Sequence, residues 1–134
     1  MKISIISFSY KLGLPEDKTG NGGGFVFDCR AMPNPCWDEA FRGFSGCDKP
    51  IAEFFDQYKD KVNCFLNAAE ALIRQSIVQY QKDGREHLQV AFGCTGGQHR
   101  SVYFAERMAA ILADGEGVEV ELFHAAQSHW KNLF

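Results

Sequence analysis

Residues 88–113 read LQVAFGCTGGQHRSVYFAERMAAILA, and this stretch decides the fold. Leu88–Phe92 is a short apolar run, the signature of a buried strand. The glycine-bearing segment from Gly93 to Arg100 follows, and Ser101–Ala113 then keeps helical spacing, with Val102, Ala105, Met108, Ala109 and Leu112 inward and Gly115 beyond its end. Strand, glycine turn and helix in that order form one arm of a right-handed crossover. A helix that opens on such a turn presents unpaired backbone N–H groups and the positive end of its dipole, which suits an anion. Gly96 and Gly97 let the backbone approach a ligand, Thr95 and Ser101 add hydroxyls, and His99 and Arg100 add donors.

Outward from this arm, the same alternation of strands and helices continues. Ile3–Phe8 is β-branched and short, and reads as a first buried strand. Lys18–Gly24 is a glycine loop, and Phe25–Asp28 is a second strand. Its exit, Cys29–Cys36, holds Pro33 and Pro35 and is expected to be extended or turning. Asp48 and Pro50 offer an N-cap and an early-helix proline for a helix near Ile51. A second helix is expected from about Asp60 to Lys82, with Val62, Phe65, Leu66, Ala69, Leu72, Ile73, Ile77 and Tyr80 inward and Gly84 as its stop. Val118–Phe123 alternates and makes a last strand at an edge. The fold expected is α/β and three-layer, a small mostly parallel sheet of about four strands with crossover helices. It forms a single domain over residues 1–134, without repeat or linker. In such sheets ligands sit beyond the carboxyl ends of strands. Three strand exits qualify here, at Ser9–Lys11, Cys29–Asn34 and Gly93–Arg100.

Composition narrows the function. Apolar residues make up 46% and charged residues 23%, which excludes wholesale disorder. The net charge of -3, with basic residues scattered and four acids but no base between Asp114 and Glu121, gives no electrostatic footprint for nucleic acid. Five cysteines at irregular spacing, none in a CxxC pair, suggest neither a zinc ribbon nor a disulfide framework. His87, His124 and His129 show no ligand spacing, so no metal is expected. No stretch is long enough to span a membrane and MKISIISFSY lacks a signal peptide's features, so a reducing cytoplasm is the expected compartment.

Cys94 and Arg100 stand in the spacing C-x5-R with Gly97 between them, which resembles the phosphate-binding loop of cysteine-dependent protein phosphatases. There a thiolate attacks phosphorus while arginine and backbone N–H groups hold the oxygens. Cys36 and Arg42 share the bare spacing, Gly93 replaces the histidine usual before that cysteine, and no WPD-type loop supplies a general acid. Asp38, after Trp37, is a candidate acid or a turn residue. Arg30 either closes the crevice from the second strand or pairs with Asp28. Binding a phosphate intact is the leading reading, and cysteine-dependent phosphatase chemistry the alternative.

Longer segments carry a second resemblance. SFSYKLGLPED (7–17), VFDCRAMPNPCWD (26–38), GFSGCDKPIAEFF (43–55) and GCTGGQHRSVYFAERMA (93–109) resemble the carboxy-terminal domain of the RapZ family, whose members carry the name nucleotide-binding protein. That resemblance implies a regulatory domain that binds an amino-sugar phosphate such as glucosamine-6-phosphate and serves as an RNase adapter for a small RNA. It implies neither a cofactor nor cysteine phosphatase activity. Carried over by motif, the anion site comprises Ser9, Lys11, Arg30, Asn34, Thr95, Gly96, Gly97, His99 and Arg100. Family members also carry an amino-terminal kinase-like domain with a Walker A loop, and no such motif occurs in these 134 residues. Cys36 stands where the family pattern PNPHW has histidine, replacing a polar ligand contact. The family's basic tail is replaced by FHAAQSHWKNLF, whose only lysine or arginine is Lys131, so RNA binding is expected to be weakened. Trp130 and Phe134 in that tail either dock on a second copy, giving a homodimer, or fold back onto the core.

Overall fold

Short apolar strands separated by amphipathic helices can bury both kinds of face only by stacking helix on sheet. The computed structural model, which describes residues 1–131, adopts that arrangement. Strands β1 (Lys2–Ser9), β2 (Phe25–Asp28), β3 (His87–Cys94) and β4 (Glu119–His124) form one sheet in the order β2-β3-β1-β4. Every pairing is parallel, with Ser9 opposite Cys94 and Ser7 opposite His124. Helices α1 (Lys49–Asp56) and α2 (Lys59–Lys82) connect β2 to β3, and α3 (Arg100–Leu112) connects β3 to β4. Short 3-10 turns cover Pro35–Trp37, Glu39–Phe41 and Gln127–His129. The expected α/β architecture, four strands and crossover helices are all present, and β4 is an edge strand as the alternation suggested.

Handedness fixes the layers. Both helical connections step the same way across the sheet, so right-handed crossovers place α2 and α3 on one face. Ile3, Ile5, Leu88, Val90 and Phe92 point to that face and form one core with Val62, Leu66, Ile73, Phe104 and Met108. The step from β1 to β2 runs the opposite way and has no helix. Its loop, residues 10–24, therefore supplies the layer on the other face, where Gln89 Nε2 donates to Glu16 O at 3.2 Å and Asn21 Nδ2 to His87 O at 2.7 Å.

Several boundaries depart from the sequence reading for local reasons. β3 runs on through Gly93 and Cys94, which pair with Phe8 and Ser9 of β1, and the Phe8 and Tyr10 rings occupy the space a side chain at Gly93 would need. The proline segment tightens into a 3-10 turn at Pro35, where Asn34 Oδ1 accepts from Cys36 N at 3.0 Å. Asp48 occupies the N-cap position of α1, yet its carboxylate accepts from Ser45 N at 2.7 Å instead of capping the helix. Gly84 ends α2 with φ of 75° and a backbone bond from Arg85 N to Tyr80 O, as a glycine stop should.

Leu72 is the one inward expectation on α2 that fails, being 50% exposed beside fully buried Ile73. It lies one helical step off the stripe Val62–Leu66–Ala69–Ile73–Ile77, at the rim of an open hollow that it lines with Phe27, Phe65 and Ala69. Ile73→Ala is accordingly expected to cost about 2–5 kcal/mol in chemical denaturation, and Leu72→Ala less than about 1 kcal/mol. Equal losses at the two positions would contradict this packing.

Candidate functional site

The segment from Cys94 to Arg100 turns the chain from the C-terminal end of β3 into α3, at the end of the sheet where parallel strands leave their ligands. Gly97 makes the turn feasible. Its φ is 67°, and a Cβ there would lie 2.8 Å from Ala126 Cβ and 2.9 Å from Ser9 Cβ and backbone N. The contact is locked from both sides. Ser9 Oγ donates to Thr95 O at 2.6 Å and accepts from Lys11 N at 3.1 Å, while Trp130 Nε1 donates to Gly97 O at 2.8 Å. Trp130 thus folds back on its own chain, whereas Phe134 lies outside the described residues.

A second set of bonds fastens the turn to residues 41–46. Gln98, almost wholly buried, donates through Nε2 to Arg42 O at 3.0 Å and Phe44 O at 2.7 Å, and its Oε1 accepts from Lys131 N. Gln98 O accepts from Gly46 N at 2.8 Å. His99 donates from Nε2 to Phe41 O at 3.1 Å, which places the proton on that nitrogen. Burial lowers the His99 pKa below its ordinary value, outweighing the carbonyl partners at Phe44 and Phe41 that favour the charged ring.

Arg100, only 6% exposed, reaches across to the β2 exit, where Nη1 donates to Arg30 O at 2.7 Å and to Met32 O at 3.4 Å. Arg30 itself turns away, forking onto Asp28 with Nε–Oδ1 at 2.9 Å and Nη2–Oδ2 at 2.7 Å, and its guanidinium stacks 3.8 Å over the Tyr10 ring. Hydrogen bonds from Arg30 hold the Asp28 carboxyl below the usual carboxylate range. The Cys94 thiol, at the base of the turn, donates to Ser101 Oγ at 3.1 Å and accepts from Ser101 N at 3.3 Å. Asp38 accepts from Ala40 N at 2.9 Å and so serves a turn.

Between these elements lies a small cleft of about 90 Å³, lined by Asn34, Cys36, Cys94, Thr95, Gly96, Gln98, His99 and Arg100. Among the described residues, the amides of Gly96 and Gly97 donate no hydrogen bond. The arrangement offers donors to an anion at a helix start. Of the residues expected at the site, Asn34, Thr95, Gly96, His99 and Arg100 meet here. Gly97 shapes the turn, Ser9 supports it from beneath, and Arg30 contributes its carbonyl as the Arg100 anchor. Ser101 is buried against Cys94, and Lys11 is exposed with its amide on Ser9. Cys36 also lies on the cleft wall. Gln98 was missed, because a glutamine beside two glycines gives no sequence sign of the carbonyls it will bind.

Gly97→Ala is expected to destabilise the fold by about 2 kcal/mol or more, from left-handed strain and contact with Ser9 and Ala126. Gly43→Ala, at a position with open space around it, should stay within about 0.5 kcal/mol in the same denaturation series. The lowered His99 pKa also has a sign. The unfolded chain takes up the proton first, so His99 contributes stability that is fully present above about pH 6.5 and lost as pH falls toward the folded value. Denaturation midpoints between pH 7 and pH 5 should fall less steeply in His99→Asn than in the parent chain.

The family model described as RapZ C-terminal domain matches residues 1–128. A "Nucleotide-binding protein" of Shewanella halifaxensis is 39% identical over 116 residues, covering 87% of this chain and 39% of that protein. A protein of the same name from Halorhodospira halophila is 39% identical over 115 residues, covering 86% of this chain and 38% of that protein. Another from Actinobacillus succinogenes is 35% identical over 132 residues, covering 98% of this chain and 44% of that protein. The chain therefore spans about two-fifths of the length of the curated relatives it matches. Among its described residues, no helix is long and apolar enough to cross a membrane. With the family model matched over residues 1–128, the chain belongs to the RapZ C-terminal domain family.

Proposed function

We propose that the cleft binds a small phosphorylated metabolite, an amino-sugar phosphate by family resemblance, and that the domain acts as a regulatory sensor of that ligand. The observation that carries this reading is the pairing of the Gly96 amide, without a hydrogen-bond partner among the described residues, with Arg100 in one small cleft. A phosphate group carries the charge and the acceptor oxygens these donors require. Arg100 is pre-oriented by the Arg30 carbonyl, so little side-chain freedom is lost when the anion arrives. Asn34 and Cys36, which also line the cleft, would meet the part of the ligand beyond the phosphate. An RNA- or RNase-linked adapter role follows from the resemblance, while the net charge of -3 supplies little drive from counterion release. The reading therefore centres on the small anion.

One contact favours the phosphatase alternative, the hydrogen bonding between Cys94 and Ser101 directly below the cleft. Against it, Asp38 is engaged in a turn and does not line the cleft.

Calorimetry separates these outcomes. Glucosamine-6-phosphate and inorganic phosphate should give binding heat and glucosamine none. Arg100→Ala, confirmed folded by circular dichroism, should bind about 10- to 100-fold more weakly, the loss expected for hydrogen bonds to a charged group. Absence of phosphate-dependent heat in the parent chain, or unchanged affinity in Arg100→Ala, overturns the proposal. Hydrolysis of an aryl phosphate that disappears in Cys94→Ser would replace it with the phosphatase reading.

A further inference from the structure

On the other side of the loop that holds Gln98, three side chains of metal-binding chemistry converge from distant parts of the chain. Cys47 comes from the segment before α1, Glu106 from α3 and His124 from the end of β4. Cys47 Sγ lies 3.2 Å from Glu106 Oε1 and 3.9 Å from His124 Nε2, and His124 Nε2 lies 2.9 Å from Glu106 Oε1. A tetrahedral zinc ion, with Zn–S near 2.3 Å and Zn–N and Zn–O near 2.1 Å, would hold such donor atoms about 3.4–3.6 Å apart. Each edge of the observed triangle is within about 0.5 Å of that spacing. We propose that Cys47, Glu106 and His124 bind a zinc-class divalent cation, with three protein donors and a fourth position left to solvent.

The surroundings of the histidine support this reading independently of the triangle. His124 Nδ1 lies 2.6 Å from Ser7 Oγ, and Ser7 is fully buried on the adjacent strand. That bond fixes the ring so that Nε2 faces Cys47 and Glu106, the outer-shell arrangement usual for a ligating histidine. Without a cation, Nε2–H donates to Glu106 and Nδ1 accepts from the Ser7 hydroxyl. With one, Nδ1 carries the proton and the same hydroxyl accepts it, since a hydroxyl serves in either role. The donor set also selects the cation. A thiolate, an imidazole and a carboxylate suit zinc-class ions, whereas magnesium and calcium favour oxygen donors throughout.

Access and charge fit as well. Cys47 is exposed, so an ion reaches the cluster from solvent. Without a cation, the Cys47 thiol donates its proton to Glu106 Oε1 at 3.2 Å. Coordination expels that proton to solvent as the Sγ–metal bond forms. The ion would tie Cys47 to α3 and β4, beside Phe44 and Gly46, whose backbones hold Gln98 at the cleft.

Cobalt(II) is the probe, titrated into the full chain after chelator treatment. The expected result is a thiolate-to-cobalt charge-transfer band in the near ultraviolet, saturating at one ion per chain and displaced by zinc. Cys47→Ser should abolish the band, while Cys64→Ser, an exposed cysteine elsewhere, should keep it. Glu106→Gln should weaken binding by at least about 10-fold, and Ser7→Ala, acting through His124, by about 10- to 100-fold. Metal-free thermal melts identify any variant that has merely lost its fold, and the exposed Cys47→Ser then carries the test. No charge-transfer band in the parent chain, or a band that survives in Cys47→Ser, overturns the proposal. Neither result bears on phosphate calorimetry, so the two readings stand or fall separately.

Discussion

The site depends on a missing side chain. At Gly97 the β3–α3 turn lies so close to β1 that a methyl group would meet both the backbone and the side chain of Ser9. This approach brings the start of α3 to the end of the central strands, with its first residue, Arg100, within reach of the β2 exit. The same approach lets Ala126 and Trp130 close over the turn from the other side. Glycine permits a backbone contact this close, where any side chain would clash.

Polar groups around the turn divide into those that build it and those that remain for a ligand. Ser9, Gln98, His99 and one nitrogen of Arg100 are committed to carbonyls of the chain itself. Burying such groups is tolerable only when they are paired in this way. Arg30 is committed more fully, to Asp28 and the Tyr10 ring, so the charge it brings near the crevice is largely balanced. The guanidinium of Arg100 has no carboxylate partner of this kind among the described residues, and it lines the cleft that Arg30 does not.

Much of this was legible in the sequence, where periodicity and turn chemistry act locally. The strands at Ile3 and Leu88, the long helix ending at Gly84 and the glycine turn into α3 all carry their own signals, and each forms close to where it was expected. What escaped depends on partners distant in sequence. Leu72 has the right spacing to be buried, but nothing in the chain announces that the hollow it lines with Phe27 and Phe65 stays open. Asp48 has the right identity for a cap, yet the Ser45 amide competes for its carboxylate. Gln98, and the meeting of Cys47 with Glu106 and His124, arise only when segments separated by tens of residues are folded together.

The strand order carries a consequence for how the chain acquires its fold. β1 is the first strand in the chain yet lies inside the sheet, with Lys2 opposite His87 on one side and Glu119 on the other. Its hydrogen-bonding edges therefore wait for segments made much later, and the cost of closing those long loops comes before any pairing rewards it. A nascent chain that has produced only β1, the glycine loop and β2 has no sheet, since the strand that joins them, β3, is still to come. Assembly is thus deferred until most of the chain is available, and the β3–α3 turn is supported by β1 only once β3 has joined it.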